Sequence, residues 1–327
     1  MSLFSRILLQ AALRPRRILF PESEAEAVCE ACSYLLKENA ALPVFLGCPD
    51  ELDSALSSPC FQKKRPATIV MDEIILDKLA EEYVRTRGTL SHRASKRLMK
   101  NKLFASGMLL RLGEVDCVVA GLNHPTVSVI QAAGLTVGVD PYVSAPSSFF
   151  IMDLKHSIEG GQDLLFFADS AVQVAPSPKQ LAEIGLLTAQ NASRILPDFE
   201  PRVAFLSFST LGSANAPQVE QVRNAVILAR QRNPDLSLDG ELQGDAALIP
   251  RVARKKKASD RVAGRANVLI FPDLNSGNIA YKLTQYLAQA QAIGPILQGF
   301  SKPFSDLSRG ATSDDVIGVA CITSLLV

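Results

Sequence analysis

Four short polar turns contain residue types that could bind an anion or move a proton. They comprise residues 121–126, 207–214, 273–278 and 306–310, and three of them lie directly beside a predicted buried strand. Hydroxyl groups and glycines at a strand-to-helix junction expose backbone N–H groups to an anion, with help from the helix dipole. Such a turn is more often a structural cap than a phosphate site, so no turn by itself assigns a function.

The turn at 306–310 has the most specific chemistry. Ser308 and Arg309 place a hydroxyl beside a permanent cation, and Asp314 and Asp315 follow within two helical turns. Arginine can bind a phosphoryl group through two parallel hydrogen bonds, and an aspartate can accept a proton from a thiol. The alternative is an ordinary helix start, where a capping residue and acidic side chains are stabilising. The residues alone favour this second interpretation.

Other motifs exclude several classes of function. The chain lacks both G-x-G-x-x-G and G-x-x-x-x-G-K-[ST], so neither nucleotide-binding fingerprint is present. Cys29 and Cys32 share one face of a predicted helix, and no second pair or nearby histidine completes a zinc set, which favours buried thiols. The basic run 254–257 is interpreted as a solvated helix end near residue 258 rather than as a nucleic-acid patch.

Composition and cysteine content favour a cytoplasmic protein and give no sign of nucleic-acid or membrane partners. The net charge is +1, from 34 Lys and Arg against 33 Asp and Glu, which gives no overall field for nucleic acid or an acidic membrane. Six cysteines are too few for a disulfide scaffold. The apolar stretch within residues 1–13 is too short to span a membrane. An amphipathic first helix is favoured over a transit peptide.

Alternating strands and helices must position the four turns. This alternation predicts mostly parallel, doubly covered sheets. Strands are predicted at 17–20, 42–46, 68–71, 117–121, 164–169, 203–207 and 268–272, and helices at 24–37, 94–112, 177–193, 218–233, 277–290 and 314–326.

The length of 327 residues predicts two α/β domains. We place the boundary near residues 141–146, and the apolar closing helix needs a partner surface in the first domain. The expected domains are 1–143 plus 301–327, and 144–300. This return of the chain would place residues 300–309 in an interdomain cleft, where ligand sites of α/β proteins usually lie.

Beyond these patterns, the chain resembles the phosphotransacetylase family (phosphate acetyltransferases and phosphate acyltransferases) from about residue 20 to its end. The similarity is carried by long ordered stretches: FADSAV (167–172), PRVAFLSFSTLGSA (201–214), DGELQGDAA (239–247), VAGRANVLIFPDLNSGNIAYK (262–282), IGPILQGF (293–300) and KPFSDLSRGATSDDV (302–316). The resemblance implies two domains like those of isocitrate and isopropylmalate dehydrogenases, an active site in the cleft between them, and a homodimer. It also implies reversible transfer of acetyl between coenzyme A and phosphate, with coenzyme A as a substrate and neither cofactor nor metal required.

The resemblance also assigns roles to individual residues. Asp315 corresponds to the base that deprotonates the thiol of coenzyme A, and Asp314 is then the less suitable base and a candidate cap. Arg309 matches the arginine that stabilises the transition state, and Ser308 the hydroxyl beside it. The predicted substrate-binding residues come from the other three turns and from two family arginine positions: Ser207, Ser209, Thr210, Gly212, Ser213, Asn275, Gly277, Asn278, Thr126, Gln131 and Arg85.

Two departures from the family pattern leave alternatives open. Alignment on Thr126 places Gln131 where the family has a phosphate-binding arginine, and an amide cannot replace a guanidinium. Val84 stands at a second family arginine, with Arg85 as the candidate substitute. The alternatives are an acyltransferase for a longer acyl chain, and a weakly active paralogue that binds coenzyme A or an acyl phosphate. A decarboxylating dehydrogenase of the related fold ranks below both, because the dinucleotide fingerprint is missing.

Overall fold

A computed structural model describes residues 2–256, 258 and 261–327. The described chain divides into two compact units. Unit 1 contains the residues up to Asp140 together with Phe300–Val327, and unit 2 contains Pro141–Gly299.

Unit 1 contains a five-stranded sheet in the order β11-β4-β1-β2-β3, in which all neighbouring strands are parallel. Its strands are β1 (Arg17–Phe20), β2 (Leu42–Gly47), β3 (Ala67–Val70), β4 (Cys117–Ala120) and β11 (Phe304–Asp306). Its helices are α1 (Leu3–Leu13), α2 (Glu26–Lys37), α3 (Pro49–Leu56), α4 (Glu73–Arg87), α5 (His92–Met99), α6 (Lys102–Leu112), α7 (Thr126–Thr136) and α13 (Ser313–Leu325), with a 3₁₀ turn at Pro59–Phe61.

Burial differs between the strands of unit 1, and of the two outermost strands β11 is buried while β3 is not. Every residue of β4 is buried, as expected for an apolar strand covered on both faces, whereas β3 is largely exposed at the sheet's edge. The closing helix α13 is buried from Val316 to Ser324 and packs against α1 and α2. This extensive burial explains why its sequence is too apolar for a surface helix.

The helix predicted at 94–112 is wrong in one respect, since the chain forms two helices there. The helix α5 ends at Met99, and α6 begins at Lys102. Asn101 separates them because its side-chain oxygen accepts a hydrogen bond from Leu103 N at 2.9 Å and so caps α6.

Unit 2 contains a six-stranded sheet in the order β10-β5-β6-β9-β7-β8. Its strands are β5 (Ser147–Asp153), β6 (Leu164–Ala168), β7 (Val203–Leu206), β8 (Leu238–Leu242), β9 (Val268–Ile270) and β10 (Gln291–Gln298). Its helices are α8 (Pro178–Ile195), α9 (Pro217–Arg232), α10 (Gly244–Leu248), α11 (Pro250–Lys255) and α12 (Leu274–Leu287). Part of the basic run 254–257 continues α11, but Lys257 lies outside the described residues.

The prediction of an α/β protein with mostly parallel sheets is confirmed. The strands β6 to β9 are parallel to one another, and only the pairs β5–β6 and β5–β10 are antiparallel in the described sheets. None of the helices in the described part of the chain is both long and apolar enough to cross a membrane.

Candidate functional site

The carboxyl ends of three neighbouring strands bring the candidate groups of unit 1 to one edge of its sheet. In the register, Asp306 of β11 lies beside Ala120 of β4, and β4 in turn pairs with β1. Leu307 N extends this pairing by donating to Ala120 O at 2.7 Å. Parallel strands that end together direct the following turns to the same edge, which is where α/β proteins usually bind ligands.

Asp315 takes part in the capping box at the start of α13. Its Oδ2 accepts hydrogen bonds from Thr312 N at 2.9 Å and from Thr312 Oγ1 at 2.8 Å, while its backbone N–H donates to Thr312 Oγ1. Thr312 is the N-cap residue of α13 and Asp315 is its partner, so these two residues fill the capping role that the sequence suggested for Asp314. Both side-chain bonds use Oδ2, so Oδ1 is the oxygen that could accept a proton from a substrate.

Ser308 and Arg309 lie on the exposed turn between β11 and α13. Ala311 N donates to Ser308 O at 3.0 Å, which closes this turn. Asp314 is also exposed, whereas Asp315 is half-buried. The turn thus presents a hydroxyl and a guanidinium to solvent a few residues before the carboxylate of Asp315.

The turn at 121–126 does not offer its backbone to an external anion. The buried carboxylate of Glu22 accepts hydrogen bonds from the N–H groups of Gly121 at 2.9 Å, Leu122 at 3.1 Å and Asn123 at 2.6 Å. Three converging N–H groups are the geometry expected of an anion site. Here the protein's own carboxylate occupies it, and His124 Nε2 lies 4.0 Å from Glu22 Oε1.

Thr126 and Asp306 connect α7 with the end of β11. Thr126 Oγ1 donates to Asp306 Oδ2 at 2.5 Å, and Asp306 is almost fully buried, with 1% of its surface exposed. Its other oxygen, Oδ1, has no hydrogen-bond partner among the described residues. Burial raises the pKa of Asp306 to about 7, and the nearby charge of Glu22 raises it as well, against the hydrogen bonds from Thr126 and Leu307.

The contact between Thr126 and Asp306 does not include Gln131 or Arg85. Gln131 is exposed on α7, five residues after Thr126, so the two side chains lie about 140° apart around the helix axis. Arg85 is exposed on α4 and donates two hydrogen bonds, both of 2.8 Å, to the carboxylate of Glu82. That carboxylate raises the pKa of Arg85, and the guanidinium is already paired within its own helix.

In unit 2, the serine-rich turn at 207–214 follows β7 and is folded around Glu241 of β8. Ser209 and Thr210 are buried, while Gly212 and Ser213 are exposed and Ser207 is half-buried. Ser209 Oγ and Gly212 N both donate to Glu241 Oε1, at 2.9 and 2.8 Å. The turn is therefore built from residues with internal hydrogen bonds as well as residues that face solvent.

The third turn, at the start of α12, packs on the chain that follows β6. Gly277 is buried there, and a Cβ built on it would lie 2.1 Å from Asp169 O. Asn278 Nδ2 donates to Ser170 O at 3.1 Å, whereas Asn275 is exposed. Gly277 and Asn278 thus hold the 169–170 segment, and Asn275 is the member of this predicted set that faces solvent.

Three buried carboxylates at these turns were missed by the sequence reasoning: Glu22, Asp306 and Glu241. Each is 3% exposed or less. The available signal was a charged residue close to the end of a predicted strand, as Glu22 is two positions after the strand at 17–20. Within the described residues, no group of three or more His, Cys, Asp or Glu side chains is arranged to hold a metal ion.

Comparisons with known proteins match nearly the whole chain. A family model described as "Phosphate acetyl/butaryl transferase" matches residues 2–324. A phosphate acetyltransferase of Thermoanaerobacterium thermosaccharolyticum is 38% identical over 327 residues, covering 99% of this chain and 99% of the relative. One of Clostridium acetobutylicum is 39% identical, covering 94% and 93%. The crystal structure of a phosphotransacetylase from Streptococcus pyogenes is similar with a TM-score of 0.91 at 37% identity, covering 99% of this chain and 98% of that one.

Proposed function

The chain belongs to the phosphate acetyl/butaryl transferase family, and on this basis we propose that it is a phosphate acetyltransferase. The reaction is the reversible transfer of an acetyl group between coenzyme A and phosphate. The observation that carries the proposal is the match to phosphate acetyltransferases at 38–39% identity over almost the full length of both chains.

The proposed catalytic groups of unit 1 are Asp315, Arg309 and Ser308. A thiol with an ordinary pKa of about 8.5 is mostly protonated near neutral pH, so a carboxylate that accepts its proton accelerates attack. Asp315 Oδ1 takes this proton from coenzyme A, and the sulfur forms a bond to the carbonyl carbon of acetyl phosphate. The bond between this carbon and the bridging oxygen breaks, and phosphate leaves with the electron pair.

Arg309 and Ser308 stabilise the negative charge that develops during this attack. A guanidinium offers fixed N–H donors to the carbonyl oxygen and the departing phosphate, and the Ser308 hydroxyl adds another donor. The exposed position of both side chains on the turn after β11 leaves them accessible to substrates. The solvent-facing residues of the two turns in unit 2, including Ser213 and Asn275, are proposed to bind substrate.

The assay is phosphate-dependent or arsenate-dependent cleavage of acetyl-CoA by the purified protein. Arg309→Gln is expected to lower kcat by at least about 100-fold, on the scale of a lost oxyanion donor. Asp315→Asn is expected to lower it by a similar factor, on the scale of a lost general base. Asp314→Asn is the matched control, because Asp314 is exposed in the same helical turn, and its rate should stay within about twofold of the wild type.

A second control separates catalysis from helix capping. Thr312→Ala removes the hydroxyl of the capping box but keeps the carboxylate of Asp315. If Thr312→Ala and Asp315→Asn lose activity equally, the effect of Asp315 comes from the cap, and the role of base is refuted. Full activity in both Arg309→Gln and Asp315→Asn would refute the whole catalytic assignment. A competition assay with butyryl-CoA distinguishes an acetyl from a longer acyl preference.

A homodimer and a cytoplasmic location complete the proposal. The six free cysteines are consistent with a reducing compartment. Light scattering during gel filtration should give twice the mass of one 35.2 kDa chain. A single-chain mass at micromolar concentration would refute the dimer.

A further inference from the structure

The buried carboxylate of Glu241 on β8 has no part in the proposed chemistry. Glu241 is 2% exposed and lies in the DGELQGDAA stretch (239–247), to which the sequence assigned no role. Gly240 allows β8 to approach β7 closely here, since a Cβ at this position would lie 2.9 Å from both Cβ and O of Phe205. This close approach carries Glu241 to the base of the serine-rich turn.

Glu241 accepts hydrogen bonds from three residues of the turn. Its Oε1 accepts from Ser209 Oγ at 2.9 Å and from Gly212 N at 2.8 Å, and its backbone oxygen accepts from Leu211 N at 3.1 Å. Arg223 of α9 completes the site with bonds of 3.0 Å to Oε2 and 3.2 Å to Oε1, and it also donates to Ala214 O. One buried carboxylate thus connects the turn with α9.

The charge of Glu241 is stabilised in place. Burial acts to raise the pKa of this carboxyl, but the hydrogen bonds from Arg223, Gly212 N and Ser209 overcome that effect and lower the pKa to about 2. A carboxylate that stays ionised accepts hydrogen bonds more strongly than a neutral group would. The anchor of the turn therefore persists at every pH where the protein is expected to work.

These contacts decide which donors of the turn remain for a ligand. Every backbone N–H from Ser209 to Ala214 donates within the protein. The Ser209 hydroxyl donates to Glu241, and Thr210 Oγ1 donates to Gln243 Oε1 at 3.2 Å. Ser207 Oγ accepts from Ser209 N and keeps a hydrogen that can be turned towards an incoming oxygen. Ser213 Oγ accepts from Thr210 N, and its hydrogen points to Ser209 Oγ at 3.2 Å, because the single hydrogen of Ser209 goes to Glu241. Ser213 is exposed, whereas Thr210 is buried, so an incoming anion can take the Ser213 hydrogen from this bond to a neutral oxygen.

We propose that Glu241 is a positioning residue that fixes the serine-rich turn so that Ser207 and Ser213, rather than Ser209 and Thr210, donate to the phosphate. The inference rests on the proposed function for the identity of the ligand. Ser209 and Thr210 are then internal supports whose hydroxyls are already bonded. The proposal thus divides the predicted residues of the serine-rich turn into those that donate to the ligand and those that only hold the turn in shape.

The variant Glu241→Gln tests the positioning role. Glutamine keeps the size of the side chain but replaces one acceptor oxygen with an N–H₂ group, which must then face a donor of either Arg223 or the turn. The KM for phosphate is expected to rise about tenfold or more, while the KM for acetyl-CoA changes by less than about twofold. Glu220→Gln is the matched control, since it removes another carboxylate bonded to Arg223, at 2.5 Å, without touching the turn.

Serine variants test which hydroxyls reach the ligand. Ser213→Ala is expected to raise the KM for phosphate about tenfold, because a ligand bond is lost. Its urea midpoint should fall by less than that of Ser209→Ala, because the bonds of the exposed Ser213 to Thr210 N and Ser209 Oγ do not involve the buried carboxylate. Ser209→Ala should lower the urea midpoint, because the buried Glu241 loses a donor. An unchanged KM in Ser213→Ala, or an equal KM in Glu241→Gln and Glu220→Gln, would overturn the proposal.

Amide hydrogen exchange supplies a readout that needs no turnover. In Glu241→Gln, the amides of Leu211 and Gly212 should exchange at least about tenfold faster than in the wild type, whereas those in Glu220→Gln should not change. Unchanged exchange in Glu241→Gln would refute the positioning role even in an active enzyme. A wild-type protein without any cleavage of acetyl-CoA would instead refute the proposed reaction, so the two failures are distinguishable.

Discussion

Replacement of the buried carboxyl group of Asp306 by an amide should change how the stability of the protein depends on pH. Folding holds Asp306 in its neutral form up to a pKa of about 7, whereas the unfolded chain ionises it near 3.8. Between these values the folded state binds more protons than the unfolded state, so the wild type loses stability as the pH rises through this window. Asp306→Asn cannot ionise and lacks this loss.

The size of the effect follows from the two pKa values. Each pKa unit corresponds to about 1.4 kcal/mol, so the whole window is worth about 4 kcal/mol. The charged group that acts on Asp306 is the buried Glu22, near which His124 lies, and neither is changed by the substitution. From about pH 5 to about pH 8, the stability of Asp306→Asn relative to the wild type should therefore increase by about 3 kcal/mol and level off above about pH 7.

Urea unfolding followed by far-UV circular dichroism is the suitable assay, because the chain contains no tryptophan. Asp116→Asn is the matched control in the same unit. The hydrogen bond from Arg17 lowers the pKa of Asp116 below its usual value, so this group is ionised in both states throughout the range. Its stability difference from the wild type should not vary with pH. A difference for Asp306→Asn that is equally constant from about pH 5 to about pH 8 would refute the reasoning.

Two further experiments, one with glycine substitutions and one with cysteine labelling, test the burial of single residues. Gly277→Ala should destabilise the protein by about 3 kcal/mol, because the new Cβ meets Asp169 O, whereas Gly134→Ala, with no atom within 4 Å of its Cβ, should be neutral or stabilising by up to about 1 kcal/mol. Equal urea midpoints for the two variants would contradict this. Iodoacetamide should label the exposed Cys48 before Cys29, whose pKa burial raises to about 11, and mass spectrometry of the peptides would reveal the opposite order.

Elements with strong apolar runs were predictable from the sequence. The strand at 17–20 was predicted with the bounds that the structure has. A short apolar run that follows an arginine and stops at a proline indicates a buried strand and marks both of its ends. The strand β11 was not predicted, because two of its three residues are polar and it therefore contains no apolar run. It forms because β4 offers an unpaired edge for Phe304, Ser305 and Asp306.

The side-chain contacts of the candidate site were less predictable for a related reason. Gly121 and Ser207 were recognised as members of polar turns, because their positions after buried strands are local features of the sequence. Glu22 and Glu241, which occupy the N–H groups of those turns, are 99 residues away from Gly121 and 29 residues away from Gly212. Only the pairing of β1 with β4, and of β7 with β8, shows which carboxylate meets which turn.

The outermost position of β11 in its sheet sets an order of events during synthesis. Unit 2 is one uninterrupted stretch of chain, whereas the sheet of unit 1 receives its last strand from residues that the ribosome adds after all of unit 2. Until then the edge of β4 is open and the apolar surfaces of α1 and α2 lack α13. A nascent or truncated chain therefore exposes an unpaired strand edge that can pair with another chain, and it also lacks the proposed catalytic residues Arg309 and Asp315, which arrive with the segment that covers this edge.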